Sequence, residues 1–156
     1  MQRIVVNLDD GYDAIVSSLE EYQQRLGEKG NLLVRTLAQM GTELAGHGFS
    51  GAAYDGSANV TVTWEERGDM AAAVVASGDA ALFLEFGAGY LMGYGHPEPL
   101  GYGPGTYPGK GHWNDPNGWY YEHGKKSYGN PPTAAMYNAR KEIAINLKDL
   151  AKGILE

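Results

Sequence analysis

The part of the sequence that most limits the possible folds is residues 87–129, which follow neither a helical nor a strand period. All seven prolines of the chain fall between Pro97 and Pro132, and seven of its eleven tyrosines lie between Tyr90 and Tyr128. Loops of this length inside a compact domain are uncommon, and they are usually functional or become ordered on assembly. We therefore expect a long Gly/Pro/aromatic loop over residues 87–130, with regular structure on both sides.

The sequence before the loop begins with a helical pattern. Apolar residues recur at spacings of three and four over residues 12–44, as they do on one face of a helix. Gly27 and Gly30 interrupt this pattern, so it fits either a helical hairpin or one long helix kinked at the glycines. Because Gly46 and Gly48 predict the end of the pattern, we expect the helical segment over residues 12–46.

The period changes to that of a sheet in the next part of the chain. Apolar and polar residues alternate over residues 60–65, which is typical of a half-buried strand. Residues 70–76 predict a second strand, and Gly78-Asp79 predict a tight hairpin turn after it. The apolar run over residues 80–86 predicts a third strand. We therefore expect an antiparallel meander over residues 57–86.

A helical period returns after the loop. Apolar residues mark one face over residues 136–154, and Pro131 and Pro132 precede that face. Since proline in the first turn is a common start signal, the last helix is predicted over residues 131–154. Together the elements predict a single α+β domain over residues 1–156. In it, a small antiparallel sheet packs against N-terminal helices and a C-terminal helix.

The composition disfavours several classes of protein. The chain has no cysteine, which excludes disulfides, thiolate catalysis and cysteine metal sites. Its formal net charge of −7 argues against a dedicated binder of the DNA backbone, which would carry a basic face. The apolar run at the N-terminus is too short for a signal peptide, and no stretch approaches the length of a membrane span. We expect a soluble protein made in the cytosol, without membrane contact.

A metal-dependent enzyme is one alternative, because three histidines share the loop with three carboxylates. His96, His112 and His123 are however separated by sixteen and eleven residues, unlike the short spacings of zinc motifs. The sequence contains neither a Gly-x-Ser-x-Gly elbow nor a Walker loop. Gly87-Ala88-Gly89 lacks the helical pattern that must follow a dinucleotide-binding loop. We predict no catalytic site, no metal and no cofactor.

A second alternative is a module that binds cell-wall carbohydrate or choline. Residues 117–121 (NGWYY) resemble one unit of the aromatic repeats in choline-binding modules, and Trp113, Trp119 and Tyr121 would then bind the ligand. Such modules stack several copies because one copy cannot bury its own face, and this chain has one. The local pattern also predicts a small hairpin, with a turn over residues 115–118 between strands at 112–113 and 119–121.

The aromatic residues of the loop favour a contact with another protein. A glycine-rich loop cannot bury many aromatic side chains against itself, because its backbone would be left without hydrogen-bond partners. Tyrosine and tryptophan are also the residues that concentrate in interface cores. We expect Tyr107, Trp113, Trp119 and Tyr120 to be the main anchors. The alternative is that the loop folds back and lines the core of the subunit.

Four short motifs along the chain point to a family. They are FLEFGAG at residues 83–89, GTYPG at 105–109, GWYY at 118–121 and PPTAAMYNA at 131–139. Their order and spacing resemble the head–tail joining, or tail-completion, proteins of long-tailed bacteriophages and prophages. The family commonly has threonine where this chain has Ala88. It usually has an arginine next to the proline before the last helix, where this chain has Asn130-Pro131-Pro132.

This resemblance implies a non-enzymatic structural protein of the virion neck, synthesised in the cytoplasm of a bacterial host. Family members form a ring, commonly sixfold. The implied partners are other copies of the chain, the head connector or adaptor proteins, and the tail terminator or tail tube protein. DNA would pass through the lumen without specific binding. A tail terminator or a minor head protein of the same virion stays an alternative.

A ring requires two different complementary surfaces on each subunit, and we expect the loop and its two ends to supply the first. Gly87 and Gly89 would let the chain leave the sheet sharply, and the two prolines would fix the start of the last helix. The predicted assembly contacts are Phe86, Gly87, Gly89, Tyr107, Pro108, Trp113, Trp119, Tyr120, Pro131 and Pro132.

Overall fold

A computed structural model describes residues 8–52, 59–89, 91–98, 115–120 and 126–156, without the side chains of 8–10, 119 and 120. The described residues form seven elements: α1 (Leu8–Ser50), β1 (Thr61–Gly68), β2 (Ala71–Ser77), α2 (Ala81–Phe86), β3 (Trp119–Tyr120), β4 (Lys126–Ser127) and α3 (Ala135–Leu155). The predicted α+β class is confirmed. The structure has one long N-terminal helix, a small antiparallel sheet and a C-terminal helix.

α1 is a single continuous helix, so the hairpin alternative at Gly27 and Gly30 is wrong. The helix also extends past Gly46 and Gly48, where the sequence predicted its end. Phe49 explains the extension, because this side chain is 2% exposed in the core and is held there by the last turn of the helix. Burial of a phenylalanine side chain outweighs the low helix propensity of the preceding glycines.

β1 and β2 form the predicted hairpin. They pair antiparallel from Thr61 opposite Ser77 to Gly68 opposite Ala71, with a register shift between Glu66 and Gly68. The hairpin lies along α1, and the backbone amide of Met70 in its turn donates a hydrogen bond to the Asn31 side chain at 2.8 Å. The sheet therefore rests on the second half of α1.

The predicted third strand over residues 80–86 is wrong, because this segment forms α2. Gly78-Asp79 lead into the helix, and the Gly78 carbonyl accepts a hydrogen bond from the Ala81 amide at 3.1 Å. Ala81, Leu84 and Glu85 are buried together, which fits one side of a helical turn and not the alternation of a strand. A short apolar run does not distinguish a strand from a buried helix by its period. The expected meander is therefore a two-stranded hairpin followed by a helix.

α3 packs antiparallel on the second half of α1. Three contacts fix this arrangement: Gly48 with Ala135, Gly41 with Ile143, and Lys29 with Leu155. α1 has 43 residues and α3 has 21. At about 1.5 Å per residue, α3 is therefore about half as long as α1, and it ends beside Lys29. The N-terminal half of α1 extends beyond this packed unit.

The core between these elements is small and rich in alanine. Phe49 and Leu84 lie at its centre with Ala80 and Ala135, and Val60, Val62, Ala76 and Met136 pack around them. Apart from Phe49 and Leu84, the buried apolar residues in the described part of the chain are all alanines. Since the stabilisation from burial grows with the apolar area removed from water, such a core contributes little for a chain of this length.

The close approach of α1 and α3 can be tested by adding a methyl group at two glycines of the same helix. A Cβ at Gly48 would lie 2.7 Å from the Cβ of Ala135 and 3.1 Å from its Cα, whereas one at Gly46 meets nothing within 4 Å. We expect Gly48→Ala to lower the free energy of unfolding by about 1–3 kcal/mol. Gly46→Ala should raise it by about 0.5–1 kcal/mol. Urea denaturation measures both changes, and equal effects would contradict the observed packing.

Candidate functional site

The loop begins and ends at a junction that is held by one buried carboxylate, that of Glu85. This residue is 6% exposed. Its Oε2 accepts a hydrogen bond from the amide of Met136 at 2.8 Å, and its Oε1 accepts one from the amide of Tyr137 at 3.0 Å. These amides belong to the first turn of α3, where helix N–H groups have no partner within the helix. Glu85 therefore caps α3 from another element, and its negative charge lies at the positive end of the helix dipole.

His96 completes this junction from the loop side. Its Nε2 lies 3.2 Å from Oε1 of Glu85, and its Nδ1 accepts the backbone amide of Glu98 at 3.0 Å. Because Nδ1 accepts, the ring proton is on Nε2, which donates to the carboxylate. The imidazole also packs against the rings of Phe86 and Tyr137, at centroid distances of 4.6 and 5.8 Å. Both ring nitrogens thus form hydrogen bonds that hold the loop, so neither is free to bind a metal ion.

The last turn of α2 is capped in return by the segment before α3. The Leu84 carbonyl accepts from the amide of Thr133 at 2.7 Å and from its hydroxyl at 3.0 Å, and the Glu85 carbonyl accepts from the amide of Ala134 at 3.1 Å. Asn130 donates its side-chain amide to the Phe83 carbonyl at 2.9 Å. The end of α2 and the start of α3 therefore satisfy each other's unpaired backbone groups.

The prediction that Pro131 and Pro132 form the first turn of the last helix is wrong. α3 begins at Ala135, and the residue before it, Ala134, has a left-handed backbone with φ of 49°. The prolines lie upstream of the helix, where Pro131 is exposed and Pro132 is half-buried. The start of α3 is fixed by Glu85, to which no local sequence signal points.

The two ends of the loop are joined by a short antiparallel bridge. The amide and carbonyl of Ala88 exchange hydrogen bonds of 2.9 Å with those of Asn130. Gly87 and Gly89 have φ of 81° and 87°, and a Cβ at either position would come within 3 Å of backbone atoms on the opposite segment. Glycine is therefore required at both positions. The chain leaves a helix there and not a sheet, so that part of the prediction is wrong.

The predicted turn over residues 115–118 is present, and the strand that follows it pairs with a strand later in the chain. The Asp115 carbonyl accepts from the amide of Gly118 at 3.1 Å, and its carboxylate accepts from the amide of Asn117 at 2.8 Å. Trp119–Tyr120 pairs antiparallel with Lys126–Ser127, a pairing that the sequence did not predict. The strand predicted at 112–113 lies outside the described residues.

The structure brings only part of the predicted contact set together. Phe86, Gly87 and Gly89 lie at the Glu85 junction with Pro132, while Pro131 is at its exposed edge. Trp119 and Tyr120 lie in β3, and only their backbone is described. Tyr107, Pro108 and Trp113 lie outside the described residues, as do Tyr121, His112 and His123 of the alternatives. Their roles stay predictions.

A groove of about 490 Å³ opens between α1, β2 and α3, next to the junction. Phe86, His96 and Tyr137 form one wall, and an ion pair between Arg140 and Glu98 lies at its rim, with 2.7 Å between the charged atoms. The hydrogen bond and charge of the Glu98 carboxylate raise the pKa of Arg140. The rim pair is exposed, so it contributes little to stability.

Exposed large apolar side chains in the described residues are most numerous on α1, and the sequence did not indicate their exposure. We call residues 11–28 the α1 arm. Its apolar side chains recur at spacings of three and four, with exposed fractions of 68, 61, 61, 56 and 42% for Tyr12, Ile15, Leu19, Tyr22 and Leu26. The helical period correctly predicted that these residues share a face. The last helix was predicted to be shorter than the N-terminal helical segment. That difference in length was the only signal in the sequence that part of the apolar face would stay uncovered.

The charges of the α1 arm are mainly negative. The arm contains one cation, Arg25, and four carboxylates, which are Asp13, Glu20, Glu21 and Glu28. Of the hydrogen bonds that α1 makes with other described elements, the one nearest its N-terminus comes from Lys29, whose Nζ donates to the Leu155 carbonyl at 2.9 Å. The arm thus combines an exposed apolar stripe with several carboxylates, and it lies before the first hydrogen bond that joins α1 to α3.

Other kinds of site find little support in the residues that the structure describes. Those residues contain no group of three His, Asp or Glu side chains placed to hold a metal ion. They also contain no helix with the length and hydropathy of a membrane span.

No family model, curated protein or solved structure matches this chain. Its function is therefore inferred from its own surfaces and sequence motifs.

The capping role of Glu85 predicts that its charge matters more than that of another carboxylate nearby. In Glu85→Gln, an amide NH₂ would face N–H donors of α3 and His96, so we expect the free energy of unfolding to fall by about 1–3 kcal/mol. The control, Glu98→Gln, removes an exposed ion pair and should cost about 0–1 kcal/mol. Denaturant unfolding followed by circular dichroism measures both. A smaller loss for Glu85→Gln than for Glu98→Gln would refute the capping role.

Proposed function

We propose that this chain is a non-enzymatic structural protein of a bacteriophage neck, which assembles as a ring and joins the DNA-filled head to the tail. The observation that carries the proposal is the α1 arm. Its apolar stripe, from Tyr12 to Leu26, is 42–68% exposed. Contiguous exposed apolar surface of this kind marks a site of protein contact. A chain whose longest helix is half uncovered is suited to a role in which other subunits cover it.

The small core supports the same proposal. Phe49 and Leu84 are the only large apolar residues that are buried in the described part of the chain. Exposed large apolar side chains in that part are far more numerous, and most of them lie on α1, α3 and the loop. Subunits of obligate assemblies often lack a stable folded state of their own and gain stability on association. This distribution of apolar residues is what such a subunit requires.

The first and the last of the sequence motifs that resemble the joining proteins are in contact with each other. Residues 83–89 of the first motif exchange hydrogen bonds with residues 130–137, most of which belong to the last motif. The two motifs are thus parts of one local structure, the Glu85 junction. This contact gives a physical reason for them to occur together, and it supports the family resemblance.

The partners proposed for the ring are the head connector or adaptor proteins on one side and the tail terminator or tail tube protein on the other. The net charge of −7 fits a lumen that lets DNA pass without holding it, because a basic lumen would bind the phosphate backbone. The position of tail terminator or minor head protein in the same virion is compatible with the same surfaces.

The test is to delete the gene in the phage or prophage that encodes it and to examine lysates by electron microscopy. We expect DNA-filled heads beside separate, complete tails, and joined particles when the wild-type chain is supplied from a plasmid. Supplying Leu19→Glu, which places a charge in the apolar stripe of the arm, should fail to restore joining.

The matched control for this experiment is Ser17→Glu, an equal gain of charge at an exposed polar position on the opposite side of the same helix from the apolar stripe. This variant should restore joined particles, and circular dichroism of both purified variants checks that each is folded. Normal infectious particles from the deletion strain would refute the neck function.

A further inference from the structure

The small sheet of this subunit has a free edge at β2. In the described part of the chain, backbone hydrogen bonds join β2 to β1 and to no other element. Alternate residues of an antiparallel strand direct their N–H and C=O groups away from its partner, so those of β2 are available. Ala71–Ser77 also contains no charge and no proline, the residues that usually protect an exposed edge from pairing. β2 is therefore open to a third strand.

The groove of about 490 Å³ lies beside this free edge. Of the described residues that line it, Ala72 and Val74 belong to β2 and none belongs to β1, while Ile143 and its neighbours belong to α3. Val74 and Ile143 converge over α1 at Gly41, where an added Cβ would lie 3.1 and 2.7 Å from their side chains. A strand added to β2 would run along this groove and place every second side chain in it.

A segment suited to this position precedes α1 in the sequence. Residues 1–7 read MQRIVVN and lie outside the described part of the chain. Ile4, Val5 and Val6 are β-branched, which favours a strand. In an extended conformation Ile4 and Val6 share one face, and Val5 lies on the other face between two polar residues. β2 has seven residues, so it offers enough edge for the five residues 3–7.

This segment is too far from the groove of its own subunit to enter it. α1 is continuous from Leu8 to Ser50, so Gly41 lies about 50 Å along the helix from Leu8 at about 1.5 Å per residue. Residues 4–7 span about 14 Å even when they are fully extended. The α1 arm instead projects the segment away from its own packed unit, where only the groove of another copy is within reach.

We propose that residues 3–7 of one copy pair with β2 of the next copy as a third strand and place Ile4 and Val6 in its groove. Backbone hydrogen bonds hold the strand, and the apolar groove selects the register, because a shift by one residue would turn Arg3 and Asn7 inward. Since strand and groove are different surfaces, the contact runs head to tail, and its repetition closes a ring when the rotation between copies allows. The inference rests on the proposed function in that it names a contact of the ring, but its test does not involve the phage particle.

The chain has no cysteine, so two engineered cysteines report this contact without interference. The test chain carries Val5→Cys and Ala73→Cys, one near the middle of each strand and both on the side away from the groove. A short bis-maleimide bridges opposite and diagonal neighbours in a strand pair. Because the segment does not reach its own groove, we expect a ladder of cross-linked dimers, trimers and longer species on a denaturing gel.

The control chain carries Val5→Cys and Ser50→Cys, with its second cysteine at an exposed position at the end of α1. This chain, and chains with only one of the cysteines, should give no ladder, and all of them should keep the circular dichroism of the wild type. A cross-link within one monomer, the absence of cross-linked species, or an equal ladder from the control chain would each overturn the proposal.

A second measurement tests the register by sedimentation velocity. Ile4→Glu places a charge in the groove, so it should weaken self-association about tenfold or more, whereas Val5→Glu places the same charge on the outer face and should leave it nearly unchanged. Equal losses in the two variants, or a wild-type chain that stays monomeric, would overturn the proposal. If joined particles still depended on the gene, the neck function would stand without this contact.

Discussion

The rest of the structure depends on the buried carboxylate of Glu85. It accepts hydrogen bonds from two amides of the first turn of α3 and one from His96, so a single side chain links α2, the loop and the last helix. Burial of a carboxylate is costly unless its charge is compensated by hydrogen bonds and a favourable dipole, and this site supplies both. Because α2 carries Leu84 into the core next to Glu85, the same turn also anchors the small apolar core.

The Glu85 junction fixes where α3 starts, and the length of α3 then fixes where the packed part of the subunit ends. From Ala135 beside Gly48, the helix runs back along α1 and stops at Lys29. Everything on α1 before that point projects as a single helix. A helix that is not packed on a neighbour is only weakly stable in water. An exposed apolar stripe also favours association, because binding removes its apolar surface from water. The geometry of the junction thus leaves the apolar stripe of the α1 arm exposed.

The sequence predicted those elements whose signal is a local period. α1, the β1–β2 hairpin and α3 each show a clear pattern. Gly87 and Gly89 were expected to allow a sharp change of chain direction, and both have a positive φ. α2 was mistaken for a strand because its six residues are too few to show a helical period. The start of α3 was misplaced because its cap lies 51 residues away in sequence from the amide of Met136. The exposure of the arm depends on the length of α3, the helix that covers the rest of α1. The apolar pattern of α1 alone carries no information about that length.

The central claim is that the α1 arm is completed by other copies of the chain, whereas the rest of α1 is complete within the subunit. Hydrogen–deuterium exchange along α1, measured over a series of protein concentrations, tests it most directly, because amide protection reports local opening. The account predicts that protection of residues 12–26 rises with concentration while that of residues 31–49 does not change. Equal and concentration-independent protection of both halves would contradict it.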